Sequence, residues 1–239
     1  MKNLLITAII LIVISTGNIT QAAELNTDTN NSVIPFFAQS LEAVYCSVAL
    51  HELGHYTEAQ QISIAPRIKL GFIRSKAKNG SSSYYLGKTS YEKYPDKPQV
   101  RAKLALAGLE SSGFTYETLN QKVKDGQIND RFSSMLALVC KNDFPSYALL
   151  HKLKQTPDPS NDIENYIQNS GADKNFVYTA AVLDILFNIR EIAFHTKRIF
   201  GHSAEFPEEK ELLGFRTKPT VFVKRNMGIA IGVNLKKTW

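Results

Sequence analysis

The hydrophobic pattern opens with an apolar run over residues 4–14, interrupted only by Thr7, behind Lys2 and ahead of Ser15, Thr16, Gly17 and Asn18. Thr20, Gln21 and Ala22 follow, with small residues at the two positions a signal peptidase reads. This positive, apolar, small-residue layout predicts a secretory signal over residues 1–22, cleaved after Ala22. The run is short for a bilayer span, so a permanent N-terminal anchor stands as the alternative. Residues 23–32 are polar and aperiodic and read as a flexible tail. From Pro35 a helical pattern begins, in which Phe37, Leu41, Val44 and Val48 recur at steps of four, three and four. That stripe predicts a helix with one face on the core.

Two strand-like runs come next, residues 67–74 and 83–90, joined by a polar stretch holding the turn signal Asn79-Gly80. Residues 94–98 read as a loop. Residues 101–121 read as a helix weakened by Gly108 and Gly113. Residues 131–154 read as two helices broken at Phe144-Pro145, and the Pro- and Asp-rich stretch 156–162 is the clearest linker. Residues 175–200 form the most apolar helical pattern after the signal. At the carboxyl end Met227, Ile229, Ile231, Val233 and Leu235 alternate strictly with smaller or polar residues, predicting a half-buried strand at a sheet edge. The expected fold class is α+β, predominantly helical, with a β-hairpin after the first helix and a short C-terminal strand pair. Residues 33–239 are expected to form a single domain, with a possible subdomain boundary at 155–162.

Composition narrows this picture without naming a function. The 239 residues are 44% hydrophobic and 21% charged, enough apolar material for a core and too much for a disordered chain. Export, periplasmic or secreted, makes nucleic acid an unexpected partner despite a net charge of +6. The charge is also local. Residues 67–103 hold ten Lys/Arg against Glu92 and Asp96, so the basic character belongs to the hairpin and the loop after it. An oxidising compartment permits a bridge between Cys46 and Cys140, and two buried thiols are the alternative.

One motif carries chemistry: His51-Glu52-Leu53-Gly54-His55. Residues four apart on a helix lie one above the other, so both imidazoles can address one ion, with Glu52 placed to take a proton from water beside it. The two histidines continue the spacing of the apolar stripe and are expected to face the interior. Two imidazoles beside a carboxylate, with no cysteine at ligand spacing, leave a coordination position open, which is a catalytic rather than a structural zinc pattern.

These residues resemble the zinc-binding helix of the zincin metallopeptidases. The longer run Ala49-Leu50-His51-Glu52-Leu53-Gly54-His55-Tyr56 is similar to the site-2 protease type, in which a β-hairpin and then an Ala-Gly segment before small residues follow. Here the strand-like runs and Ala107-Gly108 stand in that order, so the resemblance covers about residues 44–115. It implies a zinc-dependent peptidase with His51 and His55 as ligands and Glu52 as general base. The chain departs from that family in having no later 18-residue apolar span and no Asp-Gly ligand motif, for which Leu183-Asp184-Ile185 is only a faint echo. Soluble zincins with a glutamate ligand are an equal comparison.

The third ligand is open at this point. Glu110, on a helix among small residues, is the first choice. Asp184 and Glu191 compete, because Asp184, Asn188, Glu191 and His195 form a polar row on an otherwise apolar helix. Such a row is most simply a solvated face. In the catalytic reading His195 donates to an oxyanion. Tyr84, Tyr85, Tyr91 and Tyr94 either line a substrate edge or pack within the sheet. The sequence therefore points to an exported zinc metallohydrolase acting on peptide or protein substrates. The competing reading is a non-enzymatic envelope protein that meets a membrane surface or acidic polymer through residues 67–103.

Overall fold

The computed structural model describes residues 30–76, 82–154, 161–207, 210–212 and 215–237. The expected signal peptide, the Asn79-Gly80 turn and most of the linker lie outside them. The described elements are α1 (Asn30–Gln61), β1 (Pro66–Lys76), β2 (Ser82–Tyr91), α2 (Pro98–Lys124), α3 (Arg131–Lys141), α4 (Asp143–Leu153), α5 (Asp162–Ser170), α6 (Lys174–Phe187), α7 (Ile189–Ile199), β3 (Lys210–Leu212), β4 (Phe215–Lys224) and β5 (Gly228–Lys237). The structure is thus a mostly helical α+β arrangement, with one antiparallel hairpin after α1 and a C-terminal sheet of order β3-β4-β5.

The helix around the motif differs from expectation in which face it buries. Phe37 and Leu41 are 61% and 68% exposed, while Ala43, Ser47, His51, His55 and Ala59 are buried at steps of four. The cause is close packing of α1 on α2, which only small side chains permit. A Cβ added to Gly54 would collide with the Ala107 carbonyl oxygen and come within 2.7 Å of the Ser111 Cβ. The apolar stripe is therefore displaced from the buried one, and the histidines belong to the latter. Helix α1 also starts upstream of Pro35, which lies inside it.

The break between α3 and α4 falls at Asn142, so Pro145 sits in the first turn of α4, where its missing N–H costs nothing. Helix α5 was not expected. The pattern over residues 175–200 resolves into two helices hinged at Asn188, whose side-chain amide donates to the Asp184 carbonyl (2.7 Å). One core joins Leu106 and Leu109 of α2 to Phe144, Ile163, Val177, Val221 and Ile229. A second joins Ala43 and Tyr116 to Met135, Leu138, Cys140 and Ile192. In β5 only Ile229 is buried, and Val233 and Leu235 are 58% and 61% exposed, so that strand's alternation outruns its core. No helix among the described residues is long and apolar enough to cross a membrane.

Candidate metal centre

The site is built where α1 crosses α2 and meets the start of α5. His51 and His55 project from one side of α1 toward Gly108 of α2. A Cβ at Gly108 would come within 2.6 Å of His51 Cδ2 and of His55 Nε2, so the missing side chain is what admits both rings. The His51 and His55 Nε2 atoms stand 3.0 Å apart, and Asp162 Oδ2 lies 2.9 Å from the first and 3.1 Å from the second. These three residues are the group among those described that could hold a metal ion.

The other ring nitrogens settle the tautomers. His51 Nδ1 donates to Asp143 Oδ2 (2.7 Å), which also accepts from Ser112 Oγ (2.5 Å). His55 Nδ1 donates to the Leu104 carbonyl (2.7 Å). With both Nδ1 atoms protonated, the neutral rings present lone pairs at Nε2, and Asp162 adds a carboxylate oxygen. Three acceptors converge on one point, which requires a cation among them, a proton or a metal ion. Tetrahedral bonds of ~2.0–2.1 Å put ligand atoms ~3.3 Å apart, close to the separations found.

The electrostatics agree. Burial alone would lower the His51 imidazole, but Asp143 and Asp162 reverse this and hold it well above its ordinary value. His55 is raised in the same way, burial being outweighed chiefly by Asp162. For Asp162, burial pushes up, while His55 and His51 pull further and hold the carboxyl well below the usual range.

Asp162 is held in place by its neighbour. Asn161 caps α5 by accepting from the Glu164 N–H (3.0 Å) and donates its amide to the Tyr147 carbonyl (3.2 Å). The Tyr147 ring in turn stacks on His51 at 5.3 Å and 7°. Glu52 lies beside the pair, 8% exposed, and its Oε2 accepts from Thr89 Oγ1 (2.7 Å) on β2. Gly87 rests over Val48 and Glu52, so Gly87, Thr89 and Tyr91, alternate residues of one strand, all face α1. Burial raises the Tyr91 phenol, with Asp162, Tyr94 and Glu52 adding to it. Tyr94, part-exposed, stands with its ring under the Arg101 guanidinium at 5.1 Å.

The structure groups His51 and His55 with Asp162, sets Glu52 beside them, and does not bring in the other candidates. Glu110 is taken up by the C-terminal hairpin: its Oε2 accepts from the Arg225 backbone N–H (3.2 Å) and pairs with Arg225 Nε (3.3 Å). Asp184 pairs with Lys141 Nζ (2.6 Å), and Glu191 with Lys218 Nζ (2.6 Å) and the Tyr116 hydroxyl. His195 is fully buried and donates from Nε2 to Asn120 Oδ1 (2.6 Å). The polar row of α6 and α7 is therefore neither a solvated face nor part of the metal group. It forms a buried network that ties α2, α3 and β4 to these helices, because two lysines reach in to neutralise its acids.

The cysteines are unbridged, with Cys140 Sγ 3.5 Å from Ser47 Oγ and its thiol pushed up to about 12 by burial. No family model, curated protein or solved structure matches the chain. What the molecule itself shows is a buried His51, His55 and Asp162 group that could hold a metal ion.

Proposed function

We propose that this protein is a zinc-dependent metallohydrolase acting on peptide or protein substrates. The observation that carries the reading is the convergence of His51 Nε2, His55 Nε2 and Asp162 Oδ2, with both Nδ1 atoms already committed as donors. Two imidazoles and one carboxylate make the donor set of catalytic zinc, which fills three positions from the protein. Non-haem iron uses the same set. The adjacent Glu52 favours hydrolysis, since a carboxylate beside the ligands can take a proton from an attacking water. A bound divalent ion would act as a Lewis acid and make water acidic enough to attack at neutral pH.

The chain's own groups would do the rest. Thr89 Oγ1 orients the Glu52 carboxylate, Asp143 and the Leu104 carbonyl hold the rings in register, and the Tyr91 phenol on the same strand face is a neutral donor for a developing oxyanion. Export of the chain, or anchoring by residues 1–22, belongs to the same proposal and rests on the N-terminal pattern.

Metal analysis of the purified chain, together with chelator-sensitive hydrolysis of a mixed peptide pool, tests the reading. One equivalent of zinc is expected. Glu52→Gln should retain it while turnover drops by at least roughly 100-fold, the contribution of a positioned general base. No stoichiometric metal, iron in place of zinc, or full activity in Glu52→Gln would overturn it.

A further inference from the structure

The side of the β1–β2 hairpin turned away from α1 has its own character, independent of the metal reading. Leu70 pairs with Gly87 and Ile73 with Tyr85, and these positions share the strand face that carries Thr89 onto Glu52. Arg67, Lys69, Phe72, Arg74 and Lys88 therefore lie on the opposite face. Phe72 is 81% exposed, the highest value of any large apolar side chain among the described residues. The register slips between Leu70 and Ile73, and Gly71 there takes φ +116°, a left-handed conformation that glycine adopts freely. The bulge sets Phe72 out among the cations.

Lys69 sits directly opposite Lys88. Like charges paired across a strand destabilise the sheet, so this pair asks for an external anion. Glu92 pairs with Arg67 at 2.9 Å, in a pair whose members are 73% and 60% exposed, and the Lys88 ammonium lies 5.9 Å from the Tyr85 ring centroid.

We propose that this face docks on an anionic lipid surface, with Phe72 entering the acyl boundary and Lys69 and Lys88 on the headgroups. An acidic polymer would be served by the cations alone. A largely exposed aromatic ring set among them fits a surface that is charged outside and apolar beneath. The contact is weak and reversible, each cation near such a surface being worth roughly fivefold in binding. With β2 reaching Glu52 through Thr89, docking holds the candidate metal centre near the bilayer.

A Phe72→Trp variant of the full chain reads this locally, wild-type protein giving the background from Trp239. With vesicles containing phosphatidylglycerol at low salt, the new emission should shift blue and be quenched by brominated acyl chains, and on purely phosphatidylcholine vesicles it should not. Adding Lys69→Glu and Lys88→Glu should weaken the effect by at least roughly 25-fold, and high salt should abolish it. Because the probe is at residue 72, tethering through residues 4–14 does not mimic the result. Emission unchanged on anionic vesicles, or quenching indifferent to the two charge reversals, would overturn the proposal. So would charge-sensitive binding to polyglutamate without quenching on vesicles, which would mark an acidic-polymer site instead.

Discussion

Replacing Asp162 by Asn tests the metal centre at its least expected member. The amide has the carboxylate's shape and retains an oxygen acceptor, so the cap at Asn161 and the packing of α5 are left in place. What goes is the negative charge 2.9 and 3.1 Å from the two Nε2 atoms. Removing a partner that only orients a ligand costs roughly 10–100-fold in metal affinity, which sets the expectation for Asp143→Asn. Losing a ligand charge outright should exceed that, so zinc affinity should fall by more than about 100-fold, or roughly 2.7 kcal/mol. Zinc at 100 times the wild-type Kd stabilises the folded chain by about 2.7 kcal/mol. For a chain of this size that is roughly 5–10 °C in Tm. A chelator-competition titration and a thermal scan with and without zinc should therefore agree, with a clear upward shift in wild type, a smaller one in Asp143→Asn and almost none in Asp162→Asn. If Asp162→Asn keeps the wild-type affinity and shift, the carboxylate is not a ligand and the geometric argument fails.

Two other perturbations have definite outcomes. Gly108→Ala places a methyl group against both imidazoles, so it should cost about 1–3 kcal/mol by overpacking and depress zinc binding together with stability. Unaltered zinc affinity in a folded Gly108→Ala chain would mean that the rings are not confined as described. His195 is held down to about 4, first by burial and then by Arg198. As pH falls below about 6.5 the unfolded chain takes up a proton that the folded chain refuses. This group's contribution is therefore full above that pH and is lost down to about 4, amounting to about 3 kcal/mol. Urea unfolding at several pH values should show a steeper acid loss in wild type than in His195→Gln, and identical acid limbs would refute the buried neutral imidazole.

Local patterns carried most of the secondary structure. The strand-like runs at residues 67–74 and 83–90 and the four-residue spacing of the motif histidines depend on near neighbours, and both elements formed. The choice of buried face did not follow, because it depends on the partner helix. Phe37 and Leu41 are the larger apolar side chains, yet α2 presents Ala107, Gly108 and Ser111, and only the small row on α1 can approach them. The helix over residues 175–200 failed as one element for a similar reason. A side-chain amide at Asn188 takes the Asp184 carbonyl and ends α6, a competition that apolar periodicity does not register.

The same division governs the site. His51, Glu52 and His55 were legible because their geometry is set within two turns of one helix. Asp162 was hidden by its setting, at the end of a stretch whose prolines and aspartates read as a linker. The only local signal was Asn161 before Asp162 and Glu164, an ordinary helix start in which the acid already has the helix dipole as its explanation. Glu110 looked better because it lay among small residues, but those small residues serve the other side of α2. Gly108 faces the histidines, whereas Glu110, two positions on and so about 200° around the helix, faces Arg225. On helical phase alone, Glu110 lies away from the face bearing Leu104, Gly108 and Ser112. The ligand itself comes from a different helix more than a hundred residues away, so no periodicity encodes it, and only the packing of α5 against α2 delivers it.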